Sequence, residues 1–274
     1  MKTIDTSVLG PDTLDAITAL CRRSLTVELL GAELEGSLYA PDQPTIVRGD
    51  PDVGIVAAVP GSPDGFIRLL VVDPAHRGQG HGHTLLRAAE DDLADSRVIT
   101  VGADGPYYLF AGVETSQTAM VCLLERHRYQ REEANFDMEI DLAHLPDDPG
   151  GTALATTLDR DEVDDWMTRH WSNWRAEVLR ALDKGTLLLA RDAEGISAFC
   201  AWNVNRRGLV GPVASRPDLF GKGGGRAVLV GALHRIRASG ERAIDVSWVG
   251  PIRPYAAVGG RITRVFFVYR KRKR

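Results

Sequence analysis

The run Arg77-Gly78-Gln79-Gly80-His81-Gly82-His83 sets three glycines at alternate positions, directly ahead of a leucine-rich stretch. Residues of this kind do their chemistry with the backbone. Where a chain turns from strand into helix, the first helical N–H groups have no internal acceptor. The helix dipole adds about half a positive charge at the same place. Glycine has no Cβ, so an anion can come within hydrogen-bond distance of those amides. The stretch therefore predicts a cradle for a pyrophosphate. A related run returns at Phe220-Gly221-Lys222-Gly223-Gly224-Gly225-Arg226.

Three phosphate cradles compete for this pattern. The nucleotide P-loop requires a Lys-Ser/Thr pair after its last glycine, and neither copy has one. The dinucleotide fingerprint requires a third glycine where His83 and Arg226 stand. An R-x-x-G-x-G arrangement is matched in full by residues 77–82. On those residues the chain resembles the GNAT superfamily of acyl-CoA-dependent N-acyltransferases. The resemblance extends to the preceding strand end, Leu70, Val71 and Val72, where family members pair the pantetheine arm; Val213, Ala214 and Ser215 are its counterparts in the second copy. It implies acetyl-CoA as co-substrate, held along Arg77 to His83 in the first half and along Gly221 to Arg226 in the second. Phe220 stands where the motif has arginine, so weakened binding is expected there, with Lys222 or Arg226 supplying charge.

Acetyl transfer to an amine requires that the amine lose a proton, that the thioester oxygen be stabilised and that the departing thiolate gain a proton. In the family a tyrosine opening the last helix often serves the thiolate. Tyr255 fits that place, with Gly259 and Gly260 behind it, whereas the first half offers Leu124 and Arg128. The resemblance thus favours the C-terminal half as catalytic, with Tyr255 as general acid; a tyrosine closing a core is the alternative. Alternation along residues 242–248 puts Ile244, Val246 and Trp248 on one face and Asp245 and Ser247 on the other. Asp245 is then a candidate base acting through water, or a carboxylate facing solvent. Trp166, Trp171 and Trp174, on a predicted helix with His170, would wall an acceptor pocket or pack against their own sheet. His81 and His83 would add charge near phosphate or occupy the solvent side of the turn. Tyr107, Tyr108 and Phe110 belong to a segment that only the first half has, and either cover a cleft or pack between domains.

The elements that must position these residues recur in order. Pro74, Gly78, Gly80 and Gly82 pair with Pro217, Gly221, Gly223 and Gly225 at one constant shift, and Leu85, Leu86 and Ala89 pair in kind with Val228, Leu229 and Ala232. Such self-similarity reads as a duplicated domain. Residues 65–73 and 207–215 are short, β-branched and closed by proline turns, hence strands. Leu85, Leu86, Ala89 and Leu93, then Leu229, Leu233 and Ile236, keep helical spacing. Strands follow at 96–101 and 242–248, and each half ends in strand material. The acidic, Pro- and Gly-rich seam at 143–151 divides the chain into domains 1–145 and 150–274. Beyond it Asp159 is the expected N-cap of a helix, with Glu162 three residues on. The fold class is α/β (α+β): two tandem GNAT-like domains, each a mixed, mostly antiparallel sheet flanked by helices.

Bulk properties narrow the rest. The 274 residues suit two domains, 44% hydrophobic content supports real cores, and a net charge of −4 gives no broad attraction for nucleic acid or anionic lipid. Cys21, Cys122 and Cys200, odd in number and in apolar surroundings, suit neither a disulfide framework nor zinc. No cluster has metal-ligand spacing, so no metal is expected. No signal peptide or spanning segment is expected, which makes the default a cytoplasmic protein. The basic run 270–274 reads as a solvated tail, or as a nucleic-acid contact. The expected acceptor is a small-molecule amine. A non-catalytic acyl-CoA-binding or sensing module, or acetylation of protein lysines or N-termini, are the rival functions. Acceptor specificity would reside in 24–45, 104–118 and 166–184.

Overall fold

The computed structural model describes residues 4–40 and 44–273; residues 41–43 of the segment 24–45, and Arg274 of the basic run, lie outside the described residues. The chain forms two compact units, Met1–Asn135 with Val265–Arg274, and Phe136–Arg264.

The first unit runs α1 (Leu14–Ser24), α2 (Gly31–Leu38), β1 (Ile46–Asp50), β2 (Gly54–Val59), β3 (Asp64–Val72), α3 (His81–Asp92), β4 (Val98–Val101), β5 (Val113–Glu114), α4 (Thr118–Arg126) and the start of β6 (Gln130–Asp141). β1, β2 and β3 form an antiparallel meander. α3 then carries the chain over so that β4 lies parallel to β3, as a parallel pair requires. Both faces of the sheet are covered, and β2 is buried along its whole length. Val56 and Ala58 join Leu85, Leu86 and Ala89 of α3. Ile55 and Ala57 join Ile17 and Leu20 of α1 and Leu34 and Leu38 of α2. The period-two alternation of a strand thus feeds two cores.

The second unit repeats the plan with β7 (Thr152–Leu154), α5 (Arg160–His170), α6 (Arg175–Asp183), β8 (Leu187–Asp192), β9 (Gly195–Trp202), β10 (Leu209–Ser215), α7 (Gly224–Ala238), β11 (Ala243–Val246) and α8 (Ile252–Ala256). β8, β9 and β10 are antiparallel, and β11 is parallel to β10. Leu188, Ala198 and Cys200 face α7, while Leu187, Leu189 and Phe199 face α5 and α6. Both sheets are therefore mixed and mostly antiparallel, flanked by helices.

The closing strands follow compactness and not linear order. Residues 269–272 of β12 (Arg261–Arg272) run antiparallel to 98–101 of β4 in the first unit. Residues 138–141 of β6 run antiparallel to 243–246 of β11 in the second. A division at 145/150 leaves β12 wholly in the second half, whereas its residues from 265 onward belong to the first compact unit.

Three local expectations change, and a fourth, the N-cap, holds in position only. The basic run is strand through Arg272, with Arg270 on Glu132 and Glu133, Arg272 on Glu132 and Lys271 on Glu90 at 2.8 Å; it is not a solvated tail. Asp159 does stand at the N-cap of α5, but its carboxylate accepts from the Thr156 N–H at 2.7 Å, and Glu162 pairs with Arg191 at 2.6 Å. Trp171 and Trp174 lie past the end of α5. Trp248 leaves β11 with a left-handed φ of 52° and is exposed, so it does not share the face of Ile244 and Val246.

Candidate functional site

In the first unit β3 ends at Val72 and a turn leads into α3. Gly78 and Gly80 take φ of 74° and 90°, a region that L side chains rarely adopt. A Cβ on Gly78 would meet nothing within 4 Å, so conformation, not space, demands glycine there. The third glycine has another reason: a Cβ on Gly82 would lie 3.3 Å from Leu123 Cδ2, where α3 approaches α4. The first helical bond at this corner runs from Thr84 N–H to Gly80 C=O at 3.2 Å. The amides of residues 78–83 therefore lie ahead of the helix's own ladder, as an anion site requires.

Arg77 does not reach toward this corner. Its Nε donates to Val72 O and its Nη2 to Ser24 O, both at 3.1 Å, strapping the end of α1 to the end of β3. Gln79 is exposed and donates to Ala75 O at 3.3 Å. His81, the first residue of α3, is buried, against the expectation of a solvent-side position, and its ring lies 6.2 Å from that of His76. His83 stays exposed, with its Nδ1 2.7 Å from His127 Nε2. Burial pushes the His127 imidazole below its usual range, and Glu90 opposes that shift.

Beside the corner the parallel pair comes apart. Its last partners are Ile67 and Val101, followed by Gly102 N–H to Ile67 O at 2.9 Å. Gly102 then turns away with φ of 70°, and a Cβ on it would lie 2.7 Å from Gly112 Cα. β3 continues past the fork. A bulge at Arg68 (Ala58 faces Ile67, Ala57 faces Leu69) resets which way its peptide groups point. Since Asp73 N–H bonds Val53 O on the β2 side, alternation turns the peptide groups of Leu70 and Val72 to the open edge and that of Val71 toward β2. The Arg68 side chain is buried, with Nη2 2.6 Å from Asp104 and Nη1 3.1 Å from Thr45 Oγ1. Burial pushes the Asp104 carboxyl up and the Arg68 guanidinium draws it down.

The fork opens into a cleft of about 610 Å³ that includes some open solvent. Its walls come from β3 and β4, from Leu25 and Thr26 after α1, from Phe110, Glu114 on β5, Gln117 and Met120 at α4, and Phe266 of β12. Phe110 thus lines the cleft, while Tyr107 lies under the Arg68 guanidinium at 5.8 Å. Glu114 accepts from Thr26 Oγ1 at 3.1 Å. Thr26 and Glu114 lie inside the segments 24–45 and 104–118 expected to carry acceptor specificity, but sequence reasoning singled out neither, since the two-residue strand that bears Glu114 leaves no periodic signal.

The second unit rebuilds the corner with different side chains. Its parallel pair ends at Val210 and Val246, and the bulge falls on Gly211 and Pro212. Arg216 N–H bonds Ser197 O, so Val213 and Ser215 turn to the open edge and Ala214 toward β9. Gly221 and Gly223 take φ of 79° and 95°, and Ala227 N–H bonds Gly223 O at 3.0 Å. A Cβ on Gly225 would lie 3.0 Å from Ser215 Oγ, and one on Gly224 3.5 Å from Ala198 Cβ. Lys222 is exposed and Arg226 lies in the first turn of α7. At the place of Arg77, Phe220 packs on Trp171 at 6.0 Å between ring centroids. The Trp171 indole donates to Ser215 O at 3.1 Å, the bond that Arg77 makes to Val72 O. Trp174 stacks on Trp171 at 5.1 Å, while Trp166 is buried edge-on to Phe199 and near His170.

Tyr255 lies in α8, in an apolar cluster with Met138 and Cys200, and burial pushes its phenol up. Leu124 is buried at the matching point of α4. Arg128 and Gly259 both have positive φ, 66° and 91°, after their helices. Asp245 Oδ2 accepts from Arg206 at 3.0 Å and from Arg264 at 2.8 Å, and Arg264 also pairs with buried Asp137 at 2.9 Å. A carboxylate so engaged is a strut of β11 more than an open base. Cys21 and Cys200 are buried, burial lifting the Cys21 thiol to about 12, but Cys122 is exposed on α4. Among the described residues no group of three His, Cys, Asp or Glu is placed to hold a metal, and no helix is long and apolar enough to cross a membrane.

Residues 35–106 match the acetyltransferase (GNAT) family. The chain is 28% identical over 224 residues to the mycothiol acetyltransferase of Kineococcus radiotolerans, covering 75% of this chain and 72% of that one. It is 28% identical over 260 residues to the mycothiol acetyltransferase of Clavibacter sepedonicus, covering 86% and 84%. A tandem GNAT protein from the clavulanic acid biosynthesis pathway shares the fold, with a TM-score of 0.72 at 16% identity over 98% of both chains.

Proposed function

Because the chain carries a domain of the acetyltransferase (GNAT) family and is an acyltransferase, we propose that it transfers acetyl from acetyl-CoA to the primary amine of a small molecule, in a ternary complex formed in the first unit. The observation that carries this reading is the coincidence, in one unit, of unladdered amides at 78–83, the open edge of β3 at Leu70 and Val72, and the cleft at the fork. Pyrophosphate on the amides, pantetheine along the edge and thioester at the fork would follow one continuous path. The amine, having passed its ammonium proton to water, attacks the thioester carbon. The C–S bond breaks, and the proton that the new amide nitrogen sheds ends on the coenzyme thiol.

A second reading keeps the chemistry in the second unit, with Tyr255 as proton donor and Asp245 as base. The observation in its favour is the phenol itself, which the matching helix of the first unit lacks. Against it stand Pro212, which puts a residue without N–H in the bulge, and the two arginines on Asp245.

Calorimetry with acetyl-CoA, paired with release of free coenzyme A, separates the two. Gly80→Val forces a β-branched residue into φ of 90° and is expected to weaken acetyl-CoA by at least about tenfold and to abolish turnover. Gly223→Val and Tyr255→Phe are expected to retain turnover. The reverse pattern places the chemistry in the second unit. Acetyl-CoA binding without coenzyme A release across an amine panel would leave a binding module.

A further inference from the structure

The cleft of the first unit holds a charge that the coenzyme has no use for. The acetyl group and the thioester are neutral, and the carbonyl oxygen gains negative charge as the amine attacks. A carboxylate nearby does nothing for that oxygen. Yet Glu114 lines the cleft, half-buried, with Thr26 as its hydrogen-bond donor and no ion-pair partner among the described residues. The cleft's other charged side chain, Arg68, is fully buried on Asp104 and has nothing left for a ligand's carboxylate. A carboxylate set among apolar walls favours a cation over a neutral or anionic group. Around Glu114 the walls are otherwise apolar: Leu25, Phe110, Met120 and Phe266 come from four different segments, and the polar side chains beside them are Thr26 and Gln117. A ligand with many hydroxyls would leave most of them without partners there.

On these grounds the geometry points to a primary alkyl- or arylalkylammonium ion as the acceptor: a cation on an apolar body, with no carboxylate and few hydroxyls, received by Glu114. The assignment rests on the reading that the first unit holds acetyl-CoA. It concerns the acceptor alone, so the two can fail separately.

The test begins without turnover. A tertiary ammonium such as N,N-dimethylphenethylamine, which cannot form a neutral amide, is titrated into the full chain by calorimetry. Binding is expected, and Glu114→Gln is expected to weaken it by about ten- to hundredfold, the scale of one charge-assisted hydrogen bond. Glu114→Asp should recover part of the loss. In the coenzyme A release assay phenethylamine and hexylamine should exceed glucosamine and phenylalanine by at least about tenfold in kcat/KM. Glu114→Gln should raise KM for amines while acetyl-CoA affinity stays within about twofold. Tertiary ammonium that does not bind, an unchanged affinity in Glu114→Gln, or preference for the amino sugar or the amino acid overturns the assignment. Loss of acetyl-CoA binding to the first unit, with ammonium binding intact, overturns the coenzyme reading instead.

Discussion

Arg77 and Trp171 do one job with different atoms. Each donates to the last carbonyl on the open edge of its strand, Val72 O or Ser215 O, at 3.1 Å. The arginine adds Ser24 O at the end of α1, while the tryptophan begins at the end of α5 and leans on Phe220. We propose that the motif arginine serves as a strap in this chain, so that its replacement by Phe220 does not by itself remove a phosphate ligand. Arg77→Gln is expected to cost about 1 kcal/mol of stability, since the side chain is exposed, and to weaken acetyl-CoA by no more than about fivefold. The slope of affinity against ionic strength decides between roles. A lost strap leaves it unchanged, whereas a lost phosphate contact makes it shallower.

At the scale of elements, what was legible in the sequence is what local chemistry dictates. Leu85, Leu86 and Ala89, and Leu229, Leu233 and Ile236, are buried on their helices as their spacing requires. The glycine corners fall where Gly78, Gly80, Gly221 and Gly223 need positive φ. What was not legible depends on partners distant in sequence. The bulges at Arg68 and at Gly211-Pro212 exist only against β2 and β9, and they choose which of Leu70, Val71 and Val72, and which of Val213, Ala214 and Ser215, face the open edge. Glu114 enters the site because β5 pairs with β12. The basic end of β12 looked like a tail because its acids, Glu90, Glu132 and Glu133, are more than a hundred residues away. That clamp has a pH signature. Hydrogen bonds from Arg272 lower the Glu132 carboxyl from 4.5 to about 2, and Arg270 reinforces them. A folded-state value below the unfolded one gives stability that is fully present above 4.5 and drains as pH falls toward 2. Because the pair is partly exposed, screening holds the effect to about 1 kcal/mol. Thermal unfolding of Glu132→Gln between pH 6 and pH 3 should show a lower midpoint at pH 6 and a smaller loss on acidification than the wild type.

For the whole molecule, the question is whether the first unit can exist without the end of the chain. Residues 269–272 cover the outer edge of β4, and Phe266 and Phe267 hold β5. Tyr269 is fully buried in the same cluster as Leu124, Tyr129 and Ile99. Removing that strand bares a ladder edge and leaves a gap the size of an aromatic ring. Deleting one buried aromatic side chain alone costs about 3–5 kcal/mol, against a typical domain stability of about 5–15 kcal/mol. An uncovered edge also invites pairing between chains. A chain cut after residue 145 is therefore expected to lack a cooperative thermal transition, to aggregate and to show no acetyl-CoA binding, although it keeps every residue from 70 to 83. Joining residues 264–273 through a flexible linker to a chain ending at residue 135 should restore the transition and the binding together. A cooperative melt and undiminished acetyl-CoA affinity in the fragment 1–145 would mean that β12 is dispensable to the unit it completes.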